Sequence, residues 1–260
     1  MSAFSSPASI LITGATGGIG RALALAYAAP ETTLILHGRD AIRLASLQRE
    51  CEQRGAKVIP LILDLTDSDT LITSLDSLAR DTPIDLAIIN AGTTNIIGAS
   101  GETWPEIERV LNINLRAAMA TVSALLPHMR KRGRGQLALI SSLSAYVGLP
   151  VTPAYCASKA ALKSYGEALR GGLAPQGIAM NVVLPGFVDT AMSARFPTPK
   201  LFQLSPGDAA RRIKLGLARN QGRISFPWPL AFAMWWLSVL PSAWSQWILR
   251  VAGFGGARNH

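Results

Sequence analysis

The sequence predicts an α/β protein built on a parallel, doubly wound sheet of about seven strands. Short apolar runs rich in β-branched residues alternate regularly with longer segments of helical periodicity. The first run stops at a glycine-rich turn, GATGGIG at residues 14–20, which opens a helix. Several later runs stop at polar residues. This alternation is typical of right-handed crossovers, which bring the carboxyl ends of parallel strands, and the ligands they bind, to one edge of the sheet.

The length and residue usage limit the class of protein. A chain of 260 residues is long enough to bury one large core. Its first residues, MSAFSSPASILITG, lack the basic region and the long apolar region of a secretory signal, so we expect a cytoplasmic protein. Cys51 and Cys156 provide no disulfide framework and are expected to be reduced. The three histidines are scattered, which gives little support to a metal site or a Ser/His/Asp triad.

The formal net charge of +9 is unevenly distributed. Residues 1–189 contain sixteen Lys or Arg against fifteen Asp or Glu, whereas residues 190–260 contain nine against one. A basic excess spread over the whole chain would have suggested a nucleic-acid partner or an anionic surface. Because nearly all of the excess lies in the C-terminal part, no nucleic-acid partner is expected.

The first strand is predicted over residues 9–13, and the glycine turn opens a helix that runs to residue 29. Gly14, Gly18 and Gly20 permit a tight turn, close backbone approach to a pyrophosphate, and close packing of helix on sheet. The N-terminus of the helix would point at the anion. A plain tight turn is the alternative, and the position directly after the first strand argues against it.

The second strand, at residues 33–37, is followed by Gly38 and Arg39, where NAD-binding units place an acid that holds the ribose hydroxyls. Arg39 instead suits a 2′-phosphate, so NADP (NADPH) is the preferred cofactor and NAD the alternative. A solvated surface charge is the other interpretation of Arg39. Asp40 is better explained as the N-cap of a helix over residues 41–54.

The third and fourth strands also end at polar residues. The third, over residues 58–63, is followed by Asp64, and the fourth, over residues 86–89, by Asn90. A helix over residues 67–80 separates them. Both side chains are expected at the ligand edge of the sheet, although Asn90 and the two residues after it also fit a simple turn.

A long helix is predicted over residues 103–132, with Asn114 inside an otherwise apolar segment. Asparagine is disfavoured there because its side chain competes for backbone hydrogen bonds. Either a bend or a polar task is therefore expected at this position, and a satisfied core amide is the alternative.

The fifth strand, over residues 136–141, delivers Ser142 at its carboxyl end, and Tyr155 and Lys159 follow on a helix. Residues four apart share one helix face. An ammonium beside a phenol favours the phenolate, so Lys159 is expected to lower the pKa of Tyr155 and make it an acid or base near neutral pH. A chance Tyr-x-x-x-Lys spacing is the alternative. The sixth strand, over residues 178–184, ends in PGFVDT.

Six motifs stand in the order and spacing of the short-chain dehydrogenase/reductases: TGATGGIG, NAG at 90–92, Asn114, Ser142, YCASK and PGFVDT. Residues 9–226 resemble that family. The resemblance implies a Rossmann-like fold and an oxidoreductase that acts on CH-OH or C=O groups with NAD(P) and without a metal. It implies that Tyr155 is the catalytic acid/base, that Lys159 lowers its pKa and holds the nicotinamide ribose, and that Ser142 binds the substrate oxygen.

The resemblance also implies that Asn114 completes a proton relay through a water. The cofactor would lie against the glycine turn at its pyrophosphate, against the ends of the third and fourth strands at its adenine and cleft, and against PGFVDT at its nicotinamide. The implied cofactor-binding residues are Gly14, Thr16, Gly18, Ile19, Gly20, Arg39, Asp64, Leu65, Asn90, Ala91, Gly92, Tyr155, Lys159, Pro185, Gly186, Val188 and Thr190.

Beyond the sixth strand, the sequence predicts a proline-punctuated loop over residues 191–204 that covers the site, then a helix and a last strand over residues 223–226. Residues 1–226 are predicted to form the dinucleotide-binding and catalytic domain. Residues 227–260 are predicted to form a Trp-rich, apolar, helical C-terminal extension.

The extension holds five of the six tryptophans, and residues 224–249 contain no Asp, Glu, Lys or Arg. A spanning helix needs about twenty apolar residues. Prolines leave only residues 230–240 unbroken, so no transmembrane span is expected. Two alternatives remain: peripheral contact with a membrane through residues 227–251, helped by upstream basic residues, or burial against a second subunit or over the substrate cleft. Either one favours a lipophilic substrate.

The sequence therefore predicts an NADPH-dependent oxidoreductase that transfers a hydride between a nicotinamide cofactor and a carbonyl or alcohol substrate. The alternatives are a non-catalytic dinucleotide-binding or scaffold protein and a reductase of a polar, sugar-like ketone. A sensor or scaffold needs the glycine turn but has no need of Ser142, Tyr155 and Lys159 together, which argues against the first alternative. A homo-oligomer is expected.

Overall fold

The computed structural model describes residues 7–96, 101–196 and 200–254, and within them seven strands form one parallel sheet in the order β3-β2-β1-β4-β5-β6-β7. The strands are β1 (Ser9–Ile12), β2 (Thr33–His37), β3 (Lys57–Leu61), β4 (Leu86–Ile89), β5 (Gly135–Ile140), β6 (Ile178–Pro185) and β7 (Arg223–Phe226). The α-helices are α1 (Gly18–Tyr27), α2 (Ala41–Glu52), α3 (Ser68–Asp81), α4 (Trp104–Leu111), α5 (Ala117–Arg132), α6 (Pro153–Leu173), α7 (Ala191–Ala194), α8 (Pro206–Ala218), α9 (Trp228–Val239) and α10 (Ser242–Leu249). The predicted doubly wound class is confirmed.

Helices cover both faces of the sheet, and the strands are apolar for that reason. In β1, Ile10 and Ile12 pack into the cluster formed with α1, α2 and α8. Leu11, which points to the opposite face, packs with α3, α5 and α6. The strand order reverses between β1 and β4, because the chain first moves outward to β3 and then returns to the centre. This reversal opens a crevice at the carboxyl ends of β1 and β4.

The long helix predicted over residues 103–132 is divided into three parts. A π-helical turn, Asn112–Arg116, separates α4 from α5 and contains Asn114. A π turn interrupts the regular hydrogen-bond ladder of a helix and often marks a functional position. The regular helix is therefore interrupted at this asparagine. The other elements before β7 begin and end close to their predicted bounds, except α7, a single helical turn inside the segment predicted as a loop over residues 191–204.

Only one helical run of the described residues is long and apolar enough to cross a membrane. This run, Trp104–Arg132, has 56% of its apolar window buried inside the protein, as is typical of a core helix. The apolar helix α9 is too short for a span. That result agrees with the expectation from its prolines.

The C-terminal extension is helical over the part that the structure describes, as predicted. Ala231, Met234 and Leu237 of α9 share a buried cluster with Leu143, which follows β5. Helix α9 begins two residues before the predicted segment because a proline in the first helical turn lacks only an N–H that would have no helical partner there. The boundary between a catalytic domain and an extension at residue 226 stays a prediction.

Candidate active site

The glycine turn between β1 and α1 is shaped by close contacts. Gly14 has a φ of +64°, and a Cβ on it would lie 2.8 Å from the Cα of Ala91, so a side chain does not fit. A Cβ on Gly20 would overlap the carbonyl oxygen of Gly14, and one on Gly18 would overlap the side chain of Thr190. Helix α1 starts with no side-chain cap and no acid in its first turn. The turn therefore offers backbone N–H groups to an anion.

Asn90, directly after β4, braces this turn. Its Nδ2 donates to the carbonyl oxygens of Thr13 at 3.1 Å and Gly14 at 3.2 Å. The Thr13 hydroxyl in turn accepts the backbone N–H groups of Asn90 and Ala91, each at 3.0 Å. These bonds join the ends of β1 and β4 at the crevice. Asn90 is more than a turn residue, and the part played by Thr13 was not predicted.

His37, the last residue of β2, is buried and hydrogen-bonds to the same turn. Its Nδ1 accepts the Gly14 N–H at 3.2 Å, and its Nε2 lies 3.0 Å from the carbonyl oxygen of Leu63, which assigns the hydrogen to Nε2. Burial lowers the pKa of His37, so the ring is mainly neutral at pH 7. Sequence reasoning treated this region only as the place of a missing acid and overlooked these hydrogen bonds.

Arg39 and Arg43 line a pocket at the far end of the cleft together with Thr16 and Asp40. Asp40 Oδ1 accepts the N–H groups of Ile42 and Arg43, each at 3.0 Å, which confirms Asp40 as the N-cap of α2. Arg43 also pairs with Asp40 at 3.4 Å. In the described part of the chain, no carboxylate lies within salt-bridge distance of Arg39, so its guanidinium is available to a ligand.

Asp64 and Leu65 lie after β3 on the same side of the cleft. Asp64 Oδ1 accepts the N–H of Thr66 at 2.9 Å. Hydrogen bonds from Thr66 hold the pKa of this carboxyl below its usual range, so it is ionised at pH 7.

Tyr155 and Lys159 lie one turn apart on α6, as predicted. The carboxylate of Glu102 accepts the N–H of Ala154 through both oxygens, at 2.9 and 3.3 Å. That contact satisfies an N–H of the first turn and fixes the start of α6 beside Tyr155. Lys159 Nζ donates to the carbonyl oxygen of Ile140 at 2.9 Å and lies 5.6 Å from the centre of the Tyr155 ring. Sequence reasoning did not find Glu102.

The predicted lowering of the Tyr155 pKa by Lys159 stays a prediction, and burial acts in the opposite direction in this structure. Burial raises the pKa of the Tyr155 phenol to about 12, and a hydrogen bond with the Ser142 side chain only partly opposes it. Burial also lowers the pKa of Lys159 to about 8. Loss of hydration thus favours the neutral form of each group. The Tyr155 side chain still keeps part of its surface open to the cleft.

Asn114 is fully buried, and its side chain joins two segments of the site. Its Oδ1 accepts the N–H of Thr93 at 2.7 Å, while its Nδ2 donates to the Thr93 carbonyl oxygen at 2.9 Å and to Ser158 Oγ at 3.0 Å. These contacts fit the alternative expected for this position, a satisfied core amide. The amide is held by protein groups, so a relay that runs through a water stays a prediction.

Two serines that sequence reasoning missed fix the backbone of α6. Ser141 Oγ donates to the carbonyl oxygen of Lys159 at 2.7 Å, and Ser158 Oγ donates to that of Tyr155 at 2.7 Å. Both serines are buried. The sequence does carry a signal for them: Ser141 ends an apolar strand and Ser158 lies inside YCASK, so both hydroxyls are expected to be buried. A buried hydroxyl needs a hydrogen-bond partner.

The segment after β6 closes the site from the other side. The Gly186 N–H donates to the Phe226 carbonyl oxygen at 2.7 Å, and Val188 pairs with Leu204 in an isolated parallel bridge. Phe196, in the loop that this bridge closes, packs edge-on against Tyr155 with ring centres 6.4 Å apart. This contact agrees with the predicted cover, of which residues 197–199 lie outside the described part.

One continuous cleft of about 560 Å³ connects these groups. It is lined by every predicted site residue except Gly20 and Asn114, which stand behind its wall. Among the described residues, no group of three or more His, Cys, Asp or Glu could hold a metal ion.

Comparison with known proteins decides the family. The sequence model described as short chain dehydrogenase matches residues 8–200. The chain belongs to the short-chain dehydrogenase/reductase family. It is 35% identical over 233 residues to an uncharacterized oxidoreductase of Myxococcus xanthus, a match that covers 89% of this chain and 92% of the relative. It is 34% identical over 217 residues to a ketoacyl reductase of Nostoc sp., covering 82% of this chain and 75% of the relative.

The fold agrees with solved members of the family. A short-chain dehydrogenase from Sphingobium yanoikuyae in complex with NADPH has a TM-score of 0.79 and 26% identity, covering 96% of this chain and 98% of that chain. As a short-chain dehydrogenase/reductase, the protein is an oxidoreductase that acts on CH-OH or C=O groups with a nicotinamide cofactor. The cleft fits such a dinucleotide, because the glycine turn leaves no room for side chains and exposes helix N–H groups to phosphate.

The half of this short-chain dehydrogenase/reductase cleft that lies beyond Tyr155 is apolar. Its walls come from the loops after β5 and β6 and from the inward faces of α9 and α10. The main side chains are Leu149, Phe196, Leu230, Met234, Leu237 and Ile248. Leu230, Met234, Leu237 and Ile248 lie outside residues 8–200, and their position fits the alternative in which the extension is buried over the substrate cleft.

Proposed function

We propose that the protein is an NADPH-dependent reductase of lipophilic ketones or aldehydes, able to run the reverse oxidation of the corresponding alcohols. The observation that carries the proposal is the position of Ser142 and Tyr155 at the junction between the dinucleotide half of the cleft and its apolar half. A carbonyl group placed there reaches both hydroxyls while the rest of the substrate contacts α9 and α10.

Tyr155 is the proton donor in this proposal. The nicotinamide, when bound, supplies the hydride that reduces the carbonyl carbon. The Ser142 hydroxyl donates a hydrogen bond to the substrate oxygen as it gains charge, and Tyr155 transfers its phenolic proton to that oxygen. Because burial raises the pKa of Tyr155 to about 12, the phenol is protonated at pH 7, which suits the reductive direction. An alkoxide is a stronger base than a phenolate, so this transfer is favourable.

Lys159 and Asn114 support the donor. A pKa of about 8 leaves Lys159 mainly protonated at pH 7, and its bond to Ile140 fixes the ammonium near the Tyr155 ring and the expected ribose. Asn114 holds Ser158, which in turn holds the Tyr155 backbone. In this proposal Lys159 returns a proton to Tyr155, and Asn114 maintains the geometry of the relay.

The cofactor preference is proposed on charge. Arg39 and Arg43 line the pocket beside Thr16, close to where the adenine ribose of a Rossmann-bound dinucleotide lies. Two guanidinium groups favour a 2′-phosphate over a free hydroxyl. The carboxyl group of Asp40, the nearest acid, is used by the α2 cap and by Arg43. NADPH is therefore proposed as the preferred cofactor over NADH.

The substrate class is proposed from the wall of the cleft. A sugar-like ketone would bring its hydroxyls against Leu149, Phe196 and Met234, where they would lose their hydrogen bonds to water. An alkyl chain or fused-ring ketone would instead bury apolar surface there. The similarity to a ketoacyl reductase supports a carbonyl carried on an alkyl chain.

We propose that the protein works in a reducing compartment. Cys51 and Cys156 are both free and buried, which supports the expected cytoplasmic location. The expected homo-oligomer also stays a proposal, and light scattering coupled to gel filtration measures it.

The test is the loss of NADPH absorbance with a carbonyl panel that pairs long-chain and cyclic ketones with sugars and short polar ketones. We expect kcat/KM for the lipophilic compounds to exceed that for the polar ones at least about tenfold. Leu237→Asn, on the cleft wall, should reduce that ratio, whereas Ser238→Asn, exposed on the same helix, should not. NADPH binding without turnover of any carbonyl would favour the scaffold alternative, and faster turnover of sugars the polar one.

A further inference from the structure

We propose that the outward faces of α9 and α10 dock on a lipid bilayer, and that the bilayer delivers substrate to the cleft. The delivery of substrate rests on the proposed function, whereas the docking on a bilayer does not. The surface, called the aromatic face below, consists of Trp228, Phe232, Trp235, Trp236, Trp244 and Trp247.

Helix α9 is apolar on two opposite sides. Leu230, Met234 and Leu237 recur at helical spacing and line the cleft. The aromatic side chains occupy the other side, and the five tryptophans of the aromatic face are between 43% and 73% exposed. A helix that is apolar all round normally has partners on all sides. Here the cleft and core cover one side only, and the other is a contiguous apolar surface of the kind that marks a docking site.

The chemistry of the aromatic face favours a bilayer. Its rings form a row along α9, with Trp228 stacked on Phe232 at 5.9 Å and Phe232 next to Trp235 at 5.9 Å. None of the hydrogen bonds within the described residues uses an indole N–H of this face. Tryptophan with a wet N–H and a buried ring is the side chain that concentrates at the membrane–water interface.

Charge also favours an anionic lipid surface. Residues 190–260 carry nine Lys or Arg against one acid, and none of these charged residues lies within α9 or α10. The exposed Arg250 follows α10 directly. The upstream attraction expected from the sequence is weaker than predicted, because Arg211 pairs with Asp208 and Arg223 with Glu167. What remains is an apolar insertion surface with the exposed Arg250 at the end of α10, which is the pattern of an interfacial helix.

The two sides of α9 connect the bilayer to the reaction. Leu201, which is 50% exposed, also lines the cleft, and Phe202 beside it is exposed as well. A lipophilic molecule that leaves the bilayer between this loop and α9 therefore meets apolar side chains up to Tyr155. It never has to enter water, which would be the largest barrier for such a substrate.

The test is flotation of the full chain with vesicles of phosphatidylcholine and phosphatidylglycerol, and with vesicles of phosphatidylcholine alone. We expect the wild-type protein to float with both, and more strongly with the anionic vesicles at low salt. The combined variant Trp228→Ser, Trp236→Ser and Trp244→Ser should reduce the bound fraction at least about tenfold. Trp104→Ser, which removes an equally exposed tryptophan from α4, should leave it unchanged.

The outcomes separate the docking surface from the enzyme. Circular dichroism and NADPH binding establish that the triple variant is folded, since its substitutions lie at exposed positions. Flotation of the wild type without carbonyl reduction would leave the docking surface standing and overturn only the proposed function. A wild-type protein that stays off both vesicles, or whose aromatic face instead holds a dimer that the triple variant dissociates, overturns the docking proposal.

Discussion

Replacing Lys159 by methionine should change how the stability of the protein depends on pH. Lys159 is 4% exposed, and burial lowers its pKa from 10.5 to about 8. Between these values the unfolded chain binds a proton that the folded protein does not, so the free energy of unfolding rises with pH. The stabilisation is complete above pH 10.5 and is lost as pH falls through 8.

The size of the effect follows from the same two values. Lys159 contributes about 2.5 kcal/mol of additional stability between pH 7 and pH 10, obtained by integrating proton binding over that interval. Lys159→Met lacks this contribution but shares the other titrating groups. At a single pH the comparison is ambiguous, because the variant also leaves the Ile140 carbonyl oxygen without its donor. The difference in unfolding free energy between the two proteins should change with pH only because of the Lys159 ammonium.

The assay is urea unfolding of both proteins, followed by tryptophan fluorescence, at several pH values from 7 to 10. The wild type should gain about 2 to 3 kcal/mol relative to Lys159→Met across this range. If the difference in unfolding free energy between the two proteins stays constant within about 0.5 kcal/mol, burial does not lower the pKa of Lys159.

Three further substitutions test the cofactor site and the frame of α6. Arg39→Ala should reduce kcat/KM for NADPH far more than for NADH, and an NADPH value within about twofold of wild type would mean that Arg39 does not contact the 2′-phosphate. Gly20→Ala should raise the Kd for NADPH at least about tenfold, because its Cβ would overlap the Gly14 carbonyl oxygen. The control Gly171→Ala, where a Cβ meets open space, should leave the Kd unchanged. Equal Kd values for the two variants would contradict the close packing at Gly20. Glu102→Ala should lower the free energy of unfolding by about 1 kcal/mol, measured against the exposed control Glu108→Ala, and no difference between them would exclude the capping role.

The fold and the position of the site could be predicted because they depend on local patterns and on general rules of topology. Parallel strands joined by right-handed crossovers bring their carboxyl ends together, so Gly14, Asn90 and Ser142 had to meet at one edge. The spacing of Tyr155 and Lys159 likewise follows from the helix alone.

Properties that depend on burial could not be predicted. The sequence shows that a lysine follows Tyr155 by one turn, but not that both groups lose hydration, which raises the pKa of Tyr155 and lowers that of Lys159. The hydrogen bonds of His37 and the carboxylate of Glu102 act on segments distant in the chain, so no local pattern signals them.

The two faces of α9 were also hidden in the sequence. A helix that is apolar on every side has no periodicity that says which side faces the core. Only the packing against Leu143 shows that Met234 and Leu237 line the cleft while Trp235 and Trp236 point outward.

The central claim is that Tyr155 donates the proton, and the turnover of Tyr155→Phe tests it most directly. The substitution removes the phenolic hydroxyl and keeps the ring that packs against Phe196. We expect NADPH to bind within about twofold of wild type while carbonyl reduction is abolished. If Tyr155→Phe retains more than about a tenth of the wild-type kcat, the hydroxyl contributes less than about 1.4 kcal/mol to the barrier, and Tyr155 is not the proton donor.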